Sequence, residues 1–138
     1  MDLLDYVGVP GFMNRIYFIL VVDDEPEVRD ALTVVLAVPG VMIFTASDAF
    51  EAIRVLVDHP IDLMVLDIRM PQMSGFELAR QARLMRPWMH FVFMSGYYGH
   101  GDVIPERLDG MLLTKPFRPS ELRTAVQQEL RIDPLVPK

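Results

Sequence analysis

Three carboxylates stand where chemistry could begin. Asp23 and Asp24 close the apolar run from Ile16 to Val22, and Asp67 closes a second run from Ile61 to Leu66. Val/Ile/Leu runs of this kind read as strands of a parallel sheet covered on both faces, and ligand chemistry in such sheets collects at the C-terminal strand ends. Two further runs end in different groups: His90 to Met94 in Ser95-Gly96, and Met111 to Thr114 in Lys115-Pro116. All four strand ends therefore face one crevice. Three carboxylates crowded into a partly dry site repel and raise one another's pKa unless a cation shares the space. An all-oxygen cluster favours Mg²⁺, Mn²⁺ or Ca²⁺. A divalent ion, a lysine ammonium and a hydroxyl donor together supply charge neutralisation and fixed in-line geometry, the needs of phosphoryl transfer. A carboxylate with no metal role could then be the nucleophile, giving an acyl phosphate.

Each residue also has a plainer use. Asp23 or Asp24 alone could cap a following helix. Two adjacent acids, with a third ending a neighbouring strand, are harder to explain as caps. Ser95 alone is an ordinary strand-end residue, and Lys115 alone a surface lysine. His59, His90 and His100 share no ligand spacing and are assigned no chemistry. The glycines of residues 96–101 are in the wrong order, after the wrong strand, for a dinucleotide fingerprint, and read as a flexible flap. Met64, Met70, Met73, Met85, Met94 and Met111 read as core fillers.

The elements that must position these groups alternate. After the first strand, Pro26 opens a helix carrying Val28, Ala31, Leu32, Val35 and Leu36, ended by Pro39-Gly40. Val41 to Thr45 is a short strand, and Ser47-Asp48 caps a helix with the stripe Ala49, Ala52, Ile53 and Leu56. The third strand runs to Asp67. Ser74 with Glu77 forms a capping box for a helix bearing Leu78, Ala79, Ala82 and Met85, closed at Pro87. The fourth and fifth strands follow, then a helix from Pro119 with Leu122, Ala125, Val126 and Leu130. This alternation predicts a doubly wound α/β fold with a five-stranded parallel sheet. Between Ser95 and Met111, the glycines and Pro105 leave little room for a full helix.

With 138 residues the chain is one domain's worth. Its formal net charge of −6 and pI of about 4.9 argue against nucleic acid or an anionic membrane as main partner. There is no Cys, which removes disulfides, thiolate metal sites and a Cys nucleophile. The first residues lack the basic start of a signal peptide, and no apolar run approaches a membrane span, so a cytoplasmic protein is expected. Residues 1–15 break the pattern at Gly8, Pro10 and Gly11 and read as a loose N-terminal arm. A dimer-forming arm is the sharper alternative.

Four motifs, in order, resemble the receiver domain of two-component response regulators. They are Val21-Val22-Asp23-Asp24-Glu25, Leu66-Asp67-Ile68-Arg69-Met70-Pro71 with Ser74-Gly75, Met94-Ser95-Gly96, and Lys115-Pro116-Phe117. The resemblance spans residues 16–131 and implies a flavodoxin-like receiver fold. It further implies that Asp67 accepts a phosphoryl group from a phosphohistidine on a histidine kinase or histidine phosphotransfer protein. Mg²⁺, with Mn²⁺ as a substitute, would be held by Asp23, Asp24, Asp67 and the backbone carbonyl of Arg69. Asp24 would bind it directly, and Asp23 mainly through water. Ser95 would hydrogen-bond the arriving phosphoryl group, Gly96 would leave room for it, and Lys115 would pair with it. The bond between Lys115 and Pro116 is expected to be cis.

Two positions depart from the family pattern. Where many receivers carry an aromatic reporter three residues before the lysine, this chain has Leu112. The helix between strands four and five is reduced to a Gly-rich stretch and Val103-Ile104-Pro105, a degenerate fourth helix like that of receivers fused to hybrid histidine kinases. Tyr97 or Tyr98 is expected to replace the missing reporter. Arg69 and Tyr97, which flank the acceptor and the switch hydroxyl, are expected to shield the acyl phosphate and slow its hydrolysis.

The expected molecule is therefore a free-standing receiver over residues 16–131 with a short tail, 132–138. It is a signalling module, not an enzyme, though it catalyses its own phosphorylation and dephosphorylation, and it passes output to a separate protein by contact. A receiver fragment of a hybrid histidine kinase is an alternative. A Mg²⁺-dependent phosphatase working through an aspartyl phosphate is another, disfavoured because Arg69 stands where its general acid belongs. A flavin-binding domain lacks its phosphate loop, and a scaffold would have lost site residues.

Overall fold

A computed structural model of the chain describes residues 15–96 and 109–131. The readings placed on the arm before Arg15, on Tyr97, Tyr98, the flap and the degenerate fourth helix, and on the tail lie outside the described residues.

The described chain forms five strands, β1 (Tyr17–Val22), β2 (Val41–Ala46), β3 (Leu63–Asp67), β4 (His90–Ser95) and β5 (Met111–Thr114). Four helices accompany them: α1 (Pro26–Leu36), α2 (Ala49–Asp58), α3 (Gly75–Met85) and α4 (Pro119–Arg131). Every strand pair is parallel and the sheet order is β2-β1-β3-β4-β5. Because alternate strand residues point to opposite faces, the core divides in two. Tyr17, Ile19, Val21, Leu63, Val65, Val92 and Met94 pack with α1 and α4 on one face. Leu20, Val22, Met64, Leu66, Phe91 and Phe93 pack with α2 and α3 on the other. Helices on both faces explain why the strands read as unbroken apolar runs.

Local chemistry sets the helix starts. Asp48 accepts from the Glu51 N–H at 2.8 Å at the head of α2, and Ser74 Oγ accepts from the Glu77 N–H at 3.1 Å at the head of α3. Helix α1 has no such side-chain cap; Pro26 fixes its first turn instead. Two strands start later than their apolar runs. Ile16 is exposed, and Ile61, though buried, turns back so that its N–H bonds the His59 carbonyl. Asp62 then clasps β1: its N–H bonds the Phe18 carbonyl at 2.8 Å and its carboxylate accepts from the Phe18 N–H at 2.9 Å. At the other end, β2 gains Ala46 and β4 gains Ser95 beyond their expected limits.

The order places β1 between β2 and β3, so the chain winds outward in both directions from the β1/β3 junction. At that switch point a crevice opens beyond the carboxyl ends of the strands. The register brings Val22 opposite Leu66 and Ser95 opposite Thr114. The next residues along, Asp23, Asp67 and Lys115, are thereby drawn to one place.

Candidate functional site

Asp23 is fully buried at the end of β1, and its N–H bonds the Ala46 carbonyl at 3.2 Å. Its side chain turns back to accept from the Glu25 N–H at 2.9 Å. Asp24 and Glu25 follow on the exposed turn into α1. Carboxylate oxygens of Asp23, Asp24 and Glu25 lie within 4.8 Å of one another.

Asp67 ends β3 and is 7% exposed. Its Oδ1 accepts from the Arg69 N–H at 2.9 Å and its Oδ2 from Lys115 Nζ at 2.8 Å. The turn behind it is tight. Gly75 N–H bonds the Ile68 carbonyl at 2.9 Å, and a Cβ on Gly75 would fall 2.3 Å from the Asp67 carbonyl oxygen. Only glycine allows the first turn of α3 to approach the end of β3 this closely.

Lys115 is aimed by its backbone. Its N–H bonds the Ser95 carbonyl at 2.8 Å, which extends the β4/β5 ladder by one step, and the Lys115–Pro116 bond is cis as expected. The ammonium then reaches Asp67 and lies 3.4 Å from Asp23 Oδ2. Burial pushes the Asp23 carboxyl above its usual pKa, reinforced by the nearby Asp67 charge and opposed by the Glu25 N–H and the Lys115 ammonium. For Lys115, burial pulls the pKa down, but the hydrogen bonds and charges of Asp67 and Asp23 outweigh it, and the net shift is upward. The lysine is thus held cationic between two carboxylates.

Ser95 is buried on the same rim, its Oγ 3.5 Å from the Gly96 carbonyl. A Cβ on Gly96 would meet nothing within 4 Å, so that side of the crevice is open among the described residues. Leu112 is half-buried against the core on the α2/α3 face of the sheet, in register with Phe93 of β4. Of the histidines, His90 sits 3.4 Å from Glu129 and the His59 ring lies 4.2 Å from that of Phe44, both away from the crevice. His100 is outside the described residues.

The structure therefore brings Asp23, Asp67, Ser95 and Lys115 to adjacent strand ends, with Asp24 and the Arg69 backbone on the two loops that follow. Two residues enter that were given no role from sequence. Glu25 contributes a third oxygen to the β1–α1 turn, and its signal was the unbroken acidic triplet. Arg29, one turn into α1, donates from Nη1 to the Asp23 carbonyl at 2.7 Å, a contact that no motif announces. The buried Asp23 carboxylate and an all-oxygen donor set suit a hard divalent cation.

A five-stranded parallel sheet with paired acids after β1, an acid as the last residue of β3 and a lysine after β5 defines a receiver-type α/β domain. A sequence model of the response regulator receiver domain matches residues 19–127. The chain is 34% identical over 119 residues to the transcriptional regulatory protein KdpE of Mycobacterium tuberculosis, covering 80% of this chain and 51% of that one. It is 31% identical over 115 residues to sporulation initiation phosphotransferase F of Bacillus subtilis, covering 81% of this chain and 92% of that one. A crystal structure of the response regulator TrrA from Thermotoga maritima, in complex with Mg²⁺-BeF, matches with a TM-score of 0.70 at 31% identity, over 82% of this chain and 98% of that one. The chain spans about half the length of several of the curated relatives it matches, 48% and 57% for two others. It belongs to the response regulator receiver domain family. Among the described residues, no helix is long and apolar enough to cross a membrane.

Proposed function

We propose that residues 16–131 act as a phosphoacceptor in a two-component phosphorelay. Asp67 attacks the phosphorus of a phosphohistidine on a histidine kinase or histidine phosphotransfer protein. The N–P bond breaks as an Oδ–P bond forms, and the product is an aspartyl phosphate. The observation that carries this reading is the 2.8 Å contact between Asp67 Oδ2 and Lys115 Nζ beside the buried Asp23. An ammonium at that distance would neutralise charge on a phosphoryl group joined to Asp67. The Arg69 N–H fixes the other carboxylate oxygen, so the acceptor is oriented before the donor arrives.

Asp23, Asp24 and Asp67, with the Arg69 carbonyl, would hold Mg²⁺, or Mn²⁺ in its place, and Glu25 adds a further oxygen on the same turn. When bound, the ion supplies charge neutralisation at the phosphoryl oxygens. Ser95 offers a hydroxyl to the new phosphoryl group, and Gly96, whose Cβ position is clear of every described residue, leaves the space beside it. Hydrolysis by water returns Asp67, so the module sets its own signal lifetime without a separate substrate. Output passes by contact to a protein partner in the cytoplasm; the net charge of −6 suits neither nucleic acid nor an anionic membrane.

The test is incubation with a small phosphodonor such as acetyl phosphate and Mg²⁺, read by intact mass. Wild type should gain one phosphate, and neither Asp67→Asn nor wild type in chelator should gain any. A wild type that stays unmodified, or an Asp67→Asn protein that gains the same mass, would overturn the assignment.

A further inference from the structure

We infer that Arg29 is a positioning residue for the acidic turn, holding the backbone of Asp23 so that the Asp23, Asp24 and Glu25 carboxylates stay gathered for a divalent cation. The inference rests on the metal-binding part of the function proposed above.

Arg29 grips the turn from both ends. Its Nη1 donates to the Asp23 carbonyl at 2.7 Å, and its own backbone N–H donates to the Glu25 carbonyl at 3.1 Å. The Glu25 N–H in turn bonds Asp23 Oδ1 at 2.9 Å. Residues 23–25 are thereby closed into a small hydrogen-bonded loop, while the helix they lead into has no side-chain cap of its own. This loop must hold together three carboxylates whose oxygens lie within 4.8 Å, and whose mutual repulsion works to spread it.

What the guanidinium binds is as informative as where it sits. It takes a carbonyl oxygen and leaves the Asp23 carboxylate to the Glu25 N–H and Lys115. A cation that competed for the carboxylates would block a metal; one that holds the carbonyl shapes the ligand set without occupying it. Partners of this indirect kind commonly change metal affinity by about 10- to 100-fold when removed.

The sign of the effect separates positioning from simple electrostatics. Deleting a positive charge beside three carboxylates should, by Coulomb's law alone, strengthen binding of a divalent cation. Loss of the clamp should weaken it. The experiment is titration of the metal-free protein with Mn²⁺ alone, following free Mn²⁺ by electron paramagnetic resonance, with no phosphodonor present. Arg29→Met keeps the aliphatic stem and removes the donors. It should bind Mn²⁺ about 10- to 100-fold more weakly than wild type, and Arg29→Lys, which can still reach a carbonyl with one ammonium, should fall between them. Thermal melts in chelator establish that each variant folds; if Arg29→Met does not, Arg29→Lys decides, with weaker binding supporting the clamp. Wild-type or tighter Mn²⁺ binding by the folded variant would overturn it. A wild type that binds no Mn²⁺ would instead overturn the metal reading itself, and with it the basis for a clamp.

Discussion

Replacing Gly75 by Ala perturbs the end of β3 without touching the Asp67 carboxylate. The added Cβ would lie 2.3 Å from the Asp67 carbonyl oxygen and 2.8 Å from the Ile68 Cα. Ordinary contact begins near 3.4 Å, so α3 and the end of β3 must separate by about 1 Å, and both crowded atoms belong to backbone that cannot rotate aside. Overpacking of this kind costs about 1–3 kcal/mol. A displacement of about 1 Å at a reacting group costs on the order of 100-fold in rate, because Asp67 would leave its alignment with Lys115 and the Arg69 N–H. Urea unfolding and the initial rate of phosphorylation by acetyl phosphate, measured on the same protein, read both effects. Gly40→Ala is the control. Gly40 has φ 84°, so Ala there costs about 1–2 kcal/mol, but its carbonyl serves Tyr17 at the opposite end of β1. Gly40→Ala should lose comparable stability and keep its phosphorylation rate. A Gly75→Ala protein as fast as Gly40→Ala would refute the view that this close approach sets the acceptor geometry.

Two other substitutions have clear signs. Burial holds the Asp23 carboxyl above its unfolded value of 3.8, so the folded state binds that proton more tightly than the unfolded chain. Its contribution to stability is complete below pH 3.8 and is lost as pH rises through the folded value. Asp23→Asn keeps an acceptor for the Glu25 N–H and removes this loss. In chelator it should be more stable than wild type at pH 7, with the gap closing toward pH 4, and it should gain less from added Mg²⁺. A variant less stable than wild type at pH 7 in chelator would contradict the burial argument. Arg69→Ala should shorten the lifetime of the acyl phosphate several-fold, measured by decay of the phosphorylated mass after donor removal; an unchanged lifetime would count against shielding by Arg69.

How far the sequence carries depends on what each feature needs. Strands covered on both faces must be apolar at every position, so β1, β3 and β4 were legible as runs, and the acids, hydroxyl and lysine after them marked one rim. Helices α2 and α3 announced themselves through Asp48 and Ser74, whose caps are local. Strand starts were less legible because Ile61 is buried as a turn residue, and burial alone does not separate a turn from a strand. Register was not legible at all: that Val22 faces Leu66, and so Asp23 stands near Asp67, follows from pairing across the sheet. Arg29 was hidden for a related reason. Its partner is a carbonyl, which carries no residue identity, whereas Glu25 could have been read from the acidic triplet. The need for Gly75 likewise lies in a backbone distance, not in a side-chain pattern.

The most direct test of Asp67 as the phosphoacceptor is chemical trapping at single-residue resolution. After incubation with acetyl phosphate and Mg²⁺, borohydride reduces an acyl phosphate on aspartate to homoserine, and peptide mass mapping locates the change. Conversion at Asp67, absent when Mg²⁺ is chelated, is the expected result. Conversion at Asp23 or Asp24, or none at any aspartate in protein that has gained phosphate, would contradict it.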